Sequence, residues 1–475
     1  MDDVDLSSAN PNNASVTNID LANNFYSQTP FTSIKILMVS PEYPPINGGV
    51  GRYTYNLVRE LETHGVDVYV ACDKQGKGDF VGLSPTNIHN SEILLSLVDK
   101  FRPDIVHIQY EPGLYGLKLY SYKPGKIQTT IDLFYEKCTV PIVTTFHSGY
   151  TLRQWMQIPE IILNKKESLL VSQKNTDNDK HTLLSSIKSR LESISIYWKY
   201  FANYRAFQNQ NKEKLLKSSA GIVFSDYMKA LISAKSKNNC SGEKPCVIYH
   251  GAEPATSTFR ISKNEARLRF SSLPQGNSDR IALAFGFMTV AKGWDILEKM
   301  KVPENWTIVV NSSVNHSTGE RIQLDRLAND ASNIINLNQD YLSDEDLSAL
   351  FYASDTVLLP YKISSGSGVM FDALGHGIPF TASDLPFFNE FAAKDLGITA
   401  KRTPNAITDA LIELDKTYDK YKNAVEGFKK NLRWYITAIN HIKLYHDILR
   451  PTKIFTNNQA TATIVDSPQD QSKSL

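Results

Sequence analysis

"DTVLLPYKISSGSGVMFDALGHGIPFTASD", Asp355 to Asp384, sets two short apolar runs on either side of a serine–glycine loop and an apolar helix. "DTVLLPY" and "IPFTASD" have the length and apolar content of buried strands. A strand, a helix and a second strand, with no hairpin turn between them, read as a crossover between parallel neighbours. In such a unit the loop after the first strand feeds the N-terminus of the helix. Gly366 and Gly368 let the backbone there come close to an anion. Asp372, a turn into the helix, is an odd companion for a phosphate. It suits a group with two neighbouring hydroxyls, such as a ribose, or it merely favours the helix dipole.

The same alternation continues in both directions. "IKILMVS" (Ile34 to Ser40), "VDVYVAC", "DIVHIQY", "PIVTTFH", "AGIVFSD" and "PCVIYHG" read as strands of a first unit. "IALAFGF", "WTIVVNS" and "NIINL" precede the opening stretch in a second. "VGRYTYNLVRELETHG" spaces Tyr53, Leu57, Val58 and Leu61 helically and stops at Gly65. The fold class is therefore α/β, as two units with parallel sheets, the break falling within Thr256 to Arg269. The expected limits are 34–260 for the first domain and 261–430 for the second. A closing helix follows at 431–450, with polar, disordered tails at 1–33 and 451–475. A strandless insertion at about 152–217 interrupts the first unit. Within it Leu183, Ile187, Leu191, Ile194, Trp198 and Phe201 share one helical face among Lys188, Arg190, Lys199 and Arg205. That 183–205 face either packs on its own domain or makes peripheral membrane contact.

At 475 residues the chain exceeds one ordinary core. With 51 basic against 50 acidic residues, nothing points to nucleic acid as a partner. The four cysteines show no metal-ligand spacing, no apolar run is long enough to span a bilayer, and the N-terminus is acidic. The expected location is cytoplasmic, with the inner membrane face as the peripheral option. "SDEDL" (Ser343 to Leu347) contains an Asp-x-Asp that elsewhere can bind a metal, but Ser343 and Asp346 fit a helix cap. No metal or cofactor is expected.

Two further loops have anion-binding composition. "PPINGGVGRY" places Gly48 and Gly49 before a helix; a dehydrogenase fingerprint fits poorly because "PEYPPIN" separates the loop from its strand. In "FGFMTVAKGWDIL" a strand ends at Gly286, and Lys292 precedes a helix expected to begin near Asp295, where it can meet a diphosphate as a point charge.

These pieces, with "DIVHIQYEPGLYG", "VIYHGAE", "YLSDEDLSALFYASDTVLLPY" and "LRWYITAINHIKLYHDIL", stand in an order that resembles the retaining glycosyltransferases of the GT-B fold, the glycogen-synthase-like family 4. The resemblance covers roughly Ile34 to Arg450, apart from the insertion. It implies two facing Rossmann-like domains and a last helix returning to the first. It further implies a nucleotide-sugar donor, an acceptor that is a glycan, a lipid-linked sugar or a small molecule, and retention at the anomeric carbon. Residue by residue, it places Gly48 and Gly49 at the donor phosphates, Lys292 at the diphosphate, and the Gly368 and Val369 amides on the same group. Asp372 would take the ribose, His147 would lie near the donor sugar, and His250 and Gly251 would sit at the hinge.

Two positions depart from the family pattern. Phe287 stands where the family carries an arginine after the glycine of the strand end, and Ser364 stands where it carries the first of two glutamates. Ser364 and Ser365 are then left to hydrogen-bond the sugar, as the remaining catalytic candidates beside His147. The departures keep a second reading open: a non-catalytic protein of the same fold that binds nucleotide sugars or serves as a scaffold.

Overall fold

The structure, a computed structural model, describes residues 33–116, 128–161, 163, 183–233, 245–252, 261–276, 279–287, 289–313, 333–337, 339 and 341–450. The expected tails lie outside these residues except for Ser33, as do 164–182 of the insertion and 253–260 at the domain break.

The first sheet is all parallel, in the order β3-β2-β1-β4-β5-β6-β7. Its strands are β1 (Lys35–Val39), β2 (Asp67–Asp73), β3 (Phe80–Leu83), β4 (Ile105–Tyr110), β5 (Ile142–Phe146), β6 (Ala220–Val223) and β7 (Cys246–Val247). Helices α1 (Gly49–Thr63), α2 (Asn90–Phe101), α3 (Asp132–Lys137), α4 (Leu152–Trp155), α5 (Leu183–Lys217) and α6 (Asp226–Ile232) accompany it. The second sheet is also all parallel, ordered β10-β9-β8-β11-β12-β13. It comprises β8 (Arg280–Phe287), β9 (Trp306–Ser313), β10 (Ile334–Asn336), β11 (Thr356–Leu359), β12 (Phe380–Ser383) and β13 (Gly397–Ala400). Its helices are α7 (Lys263–Leu268), α8 (Asp344–Ala353), α9 (Gly368–Gly375), α10 (Pro386–Ala392), α11 (Pro404–Lys416) and α12 (Tyr418–Phe428), with α13 (Trp434–Leu449) closing the chain.

Ile36 to Val39 of β1 are fully buried, as a strand covered by helices on both faces requires. α1 buries the expected Tyr53, Leu57, Val58 and Leu61 and ends before Gly65, whose φ of +80° favours glycine. In both sheets the strand order reverses between the first and fourth strands, β1/β4 and β8/β11. Ligand crevices of open α/β sheets lie at that point.

Three local expectations change. β3 and β13 are edge strands that the sequence reading did not include; each is four residues long and only partly buried. β7 is two residues rather than the whole of "PCVIYHG". The helix expected at Asp295 is a pair of 3₁₀ turns, Val290–Lys292 and Trp294–Ile296, parted by Gly293 at φ +76°. A Cβ on Gly293 would lie 1.8 Å from the Pro360 carbonyl oxygen, so this turn accepts only glycine.

α13 follows the second domain in sequence but packs on the first. The His107 ring on β4 and the Tyr445 hydroxyl are 2.7 Å apart, and Tyr53 and His441 meet at 3.4 Å. No helix among the described residues is long and apolar enough to cross a membrane.

Candidate active site

Between the domains lies a cleft of about 1400 Å³. Gly48, Gly49, Lys292, Gly368, Val369 and Asp372 all line it, joined by Phe287 and His250. Six positions read from three separate loops thus face one space.

The glycine loop is built around Glu42. A Cβ on Gly48 would fall 1.9 Å from the Glu42 carboxyl carbon, so glycine is needed there for room; its φ of −172° is ordinary extended backbone. Glu42 Oε1 accepts from the Gly51 N–H at 2.8 Å. Burial raises the Glu42 pKa, while the Gly51 and Val50 amides pull it back. The N-terminus of α1 therefore already carries a carboxylate, which takes up part of its capacity for an outside anion.

Across the cleft, Lys292 ends the 3₁₀ turn after β8 and donates from Nζ to the Tyr361 hydroxyl at 2.8 Å, with the ammonium 4.0 Å from the centroid of that ring. At α9, Ser367 is the cap: its Oγ accepts from the Met370 N–H at 3.2 Å. Gly368 and Val369 are then the first two helical residues, whose N–H groups have no intrahelical acceptor. They open onto the cleft as a pair of donors. His250 stacks on Phe371 of α9, with ring centroids 5.6 Å apart, and its Nε2 stands 3.6 Å from where a Cβ on Gly368 would be.

Asp372 is not free. Its Oδ2 accepts from Arg52 Nη1 of α1 at 2.8 Å, an ion pair between the two domains. Arg52 stands within "PPINGGVGRY", where the local sequence gives it no role. The signal that would have found it, a carboxylate 320 residues away, is not local.

Ser364, Ser365 and His147 do not line this cleft. Ser364 and Ser365 are buried beneath the first domain: Gln154 Nε2 of α4 donates to the Ser364 carbonyl at 2.9 Å, and Tyr150 shares a hydrogen bond with the Ser365 hydroxyl. The Tyr227 hydroxyl in turn donates to Gln154 Oε1 at 2.8 Å. Ser364 Oγ donates back to the Gly366 carbonyl at 2.9 Å. His147, at the end of β5, has its Nε2 2.9 Å from Gln109 Oε1 and packs edge-on to Tyr53. Because the amide oxygen only accepts, Nε2 carries the proton. Burial holds the His147 pKa down at about 3, so the ring is neutral at physiological pH.

Glu111, at the end of β4, is a further carboxyl that pattern reading passed over. Burial pushes its pKa up to about 7, and it faces Tyr150 and Glu42 electrostatically. In "SDEDL", Ser343 Oγ accepts from the Asp346 N–H at 3.1 Å and donates to its carboxylate at 2.8 Å, a helix cap. No group of three or more His, Cys, Asp or Glu among the described residues is arranged to hold a metal.

The family model for Glycosyltransferase Family 4 matches residues 47–255. No curated protein matches the chain in sequence. Among solved structures, the sucrose-phosphate synthase of Thermosynechococcus elongatus is 14% identical, covering 87% of this chain and 99% of its own, with a TM-score of 0.57. A glycosyltransferase from Rickettsia africae ESF-5 is 14% identical over 88% of this chain and 100% of its own, also at 0.57. The Anabaena HepE structure in complex with UDP and glucose is 14% identical over 87% and 100%, at 0.55. At such identities the likeness shows the fold: two Rossmann-like domains facing across a cleft, the GT-B arrangement.

Proposed function

We propose that the protein transfers a sugar from a nucleotide donor to an acceptor hydroxyl, with retention at the anomeric carbon. The observation that carries this reading is the convergence of Lys292, the Gly368 and Val369 amides and Asp372 on one interdomain cleft. Lys292 and the two helix N-terminal amides supply positive potential for a diphosphate, and Asp372 supplies an acceptor for ribose hydroxyls. Charge grows on the departing diphosphate in the transition state, and fixed donors in a narrow cleft stabilise it there. The family match over 47–255 supports transferase chemistry, and retention rests on the family resemblance. The acceptor enters from the first-domain wall, and the exposed face of α5 contacts a membrane surface.

One observation favours binding without transfer. No carboxylate replaces the family glutamate at Ser364, and the loop holding Ser364 and Ser365 is sealed under Gln154 and Tyr150. A thermal-shift panel of UDP-, GDP- and ADP-sugars with Lys292→Ala alongside tests the donor site. A ligand at a hundred times its dissociation constant adds about 2.7 kcal/mol to the native state. A shift with one nucleotide class that Lys292→Ala removes supports the reading; no shift with any removes it. Release of nucleoside diphosphate from the shifting donor then separates transfer from binding alone.

A further inference from the structure

The pair Arg52–Asp372 differs from the ion pairs that hold the second domain together. Asp355, at the foot of β11, is 1% exposed and fully engaged: Lys263, Arg280 and the Ile281 N–H all reach its two oxygens. Asp372 is 9% exposed in its side chain, and among the described residues its carboxylate accepts from Arg52 alone. Arg52 is 42% exposed in its side chain. Both line the cleft together with Lys292 and Gly368. An enclosed acid with a single, half-exposed partner is open to exchange, whereas a saturated one is structural.

The first domain also has reason to need this guanidinium. Its glycine loop offers an anion less than its sequence suggests, because the Gly51 amide is taken by Glu42. Arg52, the next residue along α1, is the strong cationic fork beside that loop.

We propose that Arg52 is a donor-binding residue held in reserve by Asp372: a nucleoside diphosphate separates the pair, its phosphates taking the guanidinium and its ribose hydroxyls taking the carboxylate. The inference rests on the reading of the cleft as a donor site. Arg52 belongs to the first domain and Asp372 to the second, so the exchange replaces a direct tie between domains with one running through the ligand. It also makes a distinct demand on ligands. A nucleoside diphosphate repays both halves of the broken pair, whereas inorganic pyrophosphate satisfies Arg52 and leaves Asp372 with nothing.

Titration calorimetry on the full chain tests this, with inorganic pyrophosphate and with UDP, GDP and ADP. The proteins are the wild type, Arg52→Gln, Arg52→Lys, Asp372→Asn, the Arg52→Gln/Asp372→Asn double variant, and Lys292→Ala as a control. Arg52→Gln is expected to weaken both pyrophosphate and the accepted nucleotide by at least about tenfold, with Arg52→Lys recovering part of the loss. Asp372→Asn is expected to move the two ligands in opposite directions, tightening pyrophosphate severalfold and weakening the nucleotide. In the Arg52→Gln background the gain for pyrophosphate should vanish. A purely structural pair would not split the ligands in this way. Wild-type affinity in Arg52→Gln, or equal weakening of both ligands by Asp372→Asn, overturns the inference while a loss in Lys292→Ala leaves the donor site standing. If the wild type binds none of the four ligands, the donor site falls and this inference with it.

Discussion

Glu111 sits at the end of β4, at the switch point of the first sheet, where a carboxyl meets little water. Burial raises its pKa from 4.5 to about 7, so between those values the folded protein holds a proton that the unfolded chain has released. Stability attributable to this group is therefore full below the unfolded value and is lost as pH rises through about 7. Glu111→Gln has no charge to desolvate. Its melting temperature should come closest to the wild type at pH 4.5 and below, exceed it increasingly up to about pH 7, and keep a constant margin beyond. Melts of both proteins across that range check this, and a difference that stays constant with pH would remove the assignment. Residues of this kind show how far the site could be read from sequence. The place of Lys292, Gly368 and Asp372 on the cleft was legible because a turn leaving the end of a buried strand makes a local pattern, even though the helix expected after Lys292 is a pair of 3₁₀ turns. Glu42, Arg52 and Glu111 were not, because each owes its role to a neighbour or an enclosure that only the fold creates. The sealed Ser364–Ser365 loop was illegible for the same reason: Gln154 and Tyr150 reach it from the other domain.

Among the elements, the buried strands and α1 were the easiest to read, since continuous apolar runs and a helical stripe each have one stable packing solution. The edge strands β3 and β13 were not legible, being short and covered on few sides. α5 was read as one apolar face that either packs on its own domain or meets a membrane, and the described part of that face, from Leu191 onward, is turned to solvent. Tyr200, Phe207 and Lys214 are buried against the first domain, Lys214 donating to Asp132 Oδ1 at 2.6 Å. Leu191, Ile194, Trp198 and Phe201, on the opposite side, are 61%, 65%, 66% and 53% exposed. Apolar side chains exposed together on one helix mark a contact surface. Apart from Lys214 and Lys217, which pair with Asp132 and Glu136, the helix carries Lys188, Arg190, Lys199, Arg205 and Lys212 against Glu192 and Glu213, a basic balance that anionic lipid would favour. The full chain should co-sediment with vesicles containing anionic phospholipid and be released by salt. Trp198→Glu/Phe201→Glu, which alters only exposed positions, should stay in the supernatant while keeping its fold. Equal partitioning of the two proteins would end the membrane reading.

For the whole molecule, the two sheets could be counted from the alternation of elements and the resemblance implied the return of the closing helix, but the contacts that seat it could not be read. The closing helix α13 returns to β4 through Tyr445 and to α1 through His441, and Trp434 at its start packs among Tyr53 and His250. Gly251 meets this junction at close range, since a Cβ there would stand 2.3 Å from Trp434 Cε3. The next residue donates its N–H to the Leu432 carbonyl at 2.6 Å, so the backbone has little room to retreat. A second tie between the domains is Glu390 of α10 accepting from the Asp226 and Tyr227 N–H groups at the start of α6, while Phe391 of α10 packs on Tyr249 two residues before Gly251. Movement between the domains would then pivot where Gly251 and Trp434 touch. Gly251→Ala forces the indole aside, which should cost about 1–3 kcal/mol in chemical denaturation, typical of overpacking a filled site. It should also change the spacing of the domains, read as a shift in the radius of gyration by small-angle scattering. Glu390→Gln weakens a contact beside the pivot without touching it, and should change neither stability nor scattering much. If Gly251→Ala leaves both stability and scattering unchanged, the indole moves freely and the pivot lies elsewhere. If only Gly251→Ala alters the scattering and loses stability, the junction of Gly251 with Trp434 is the fixed point about which the cleft opens.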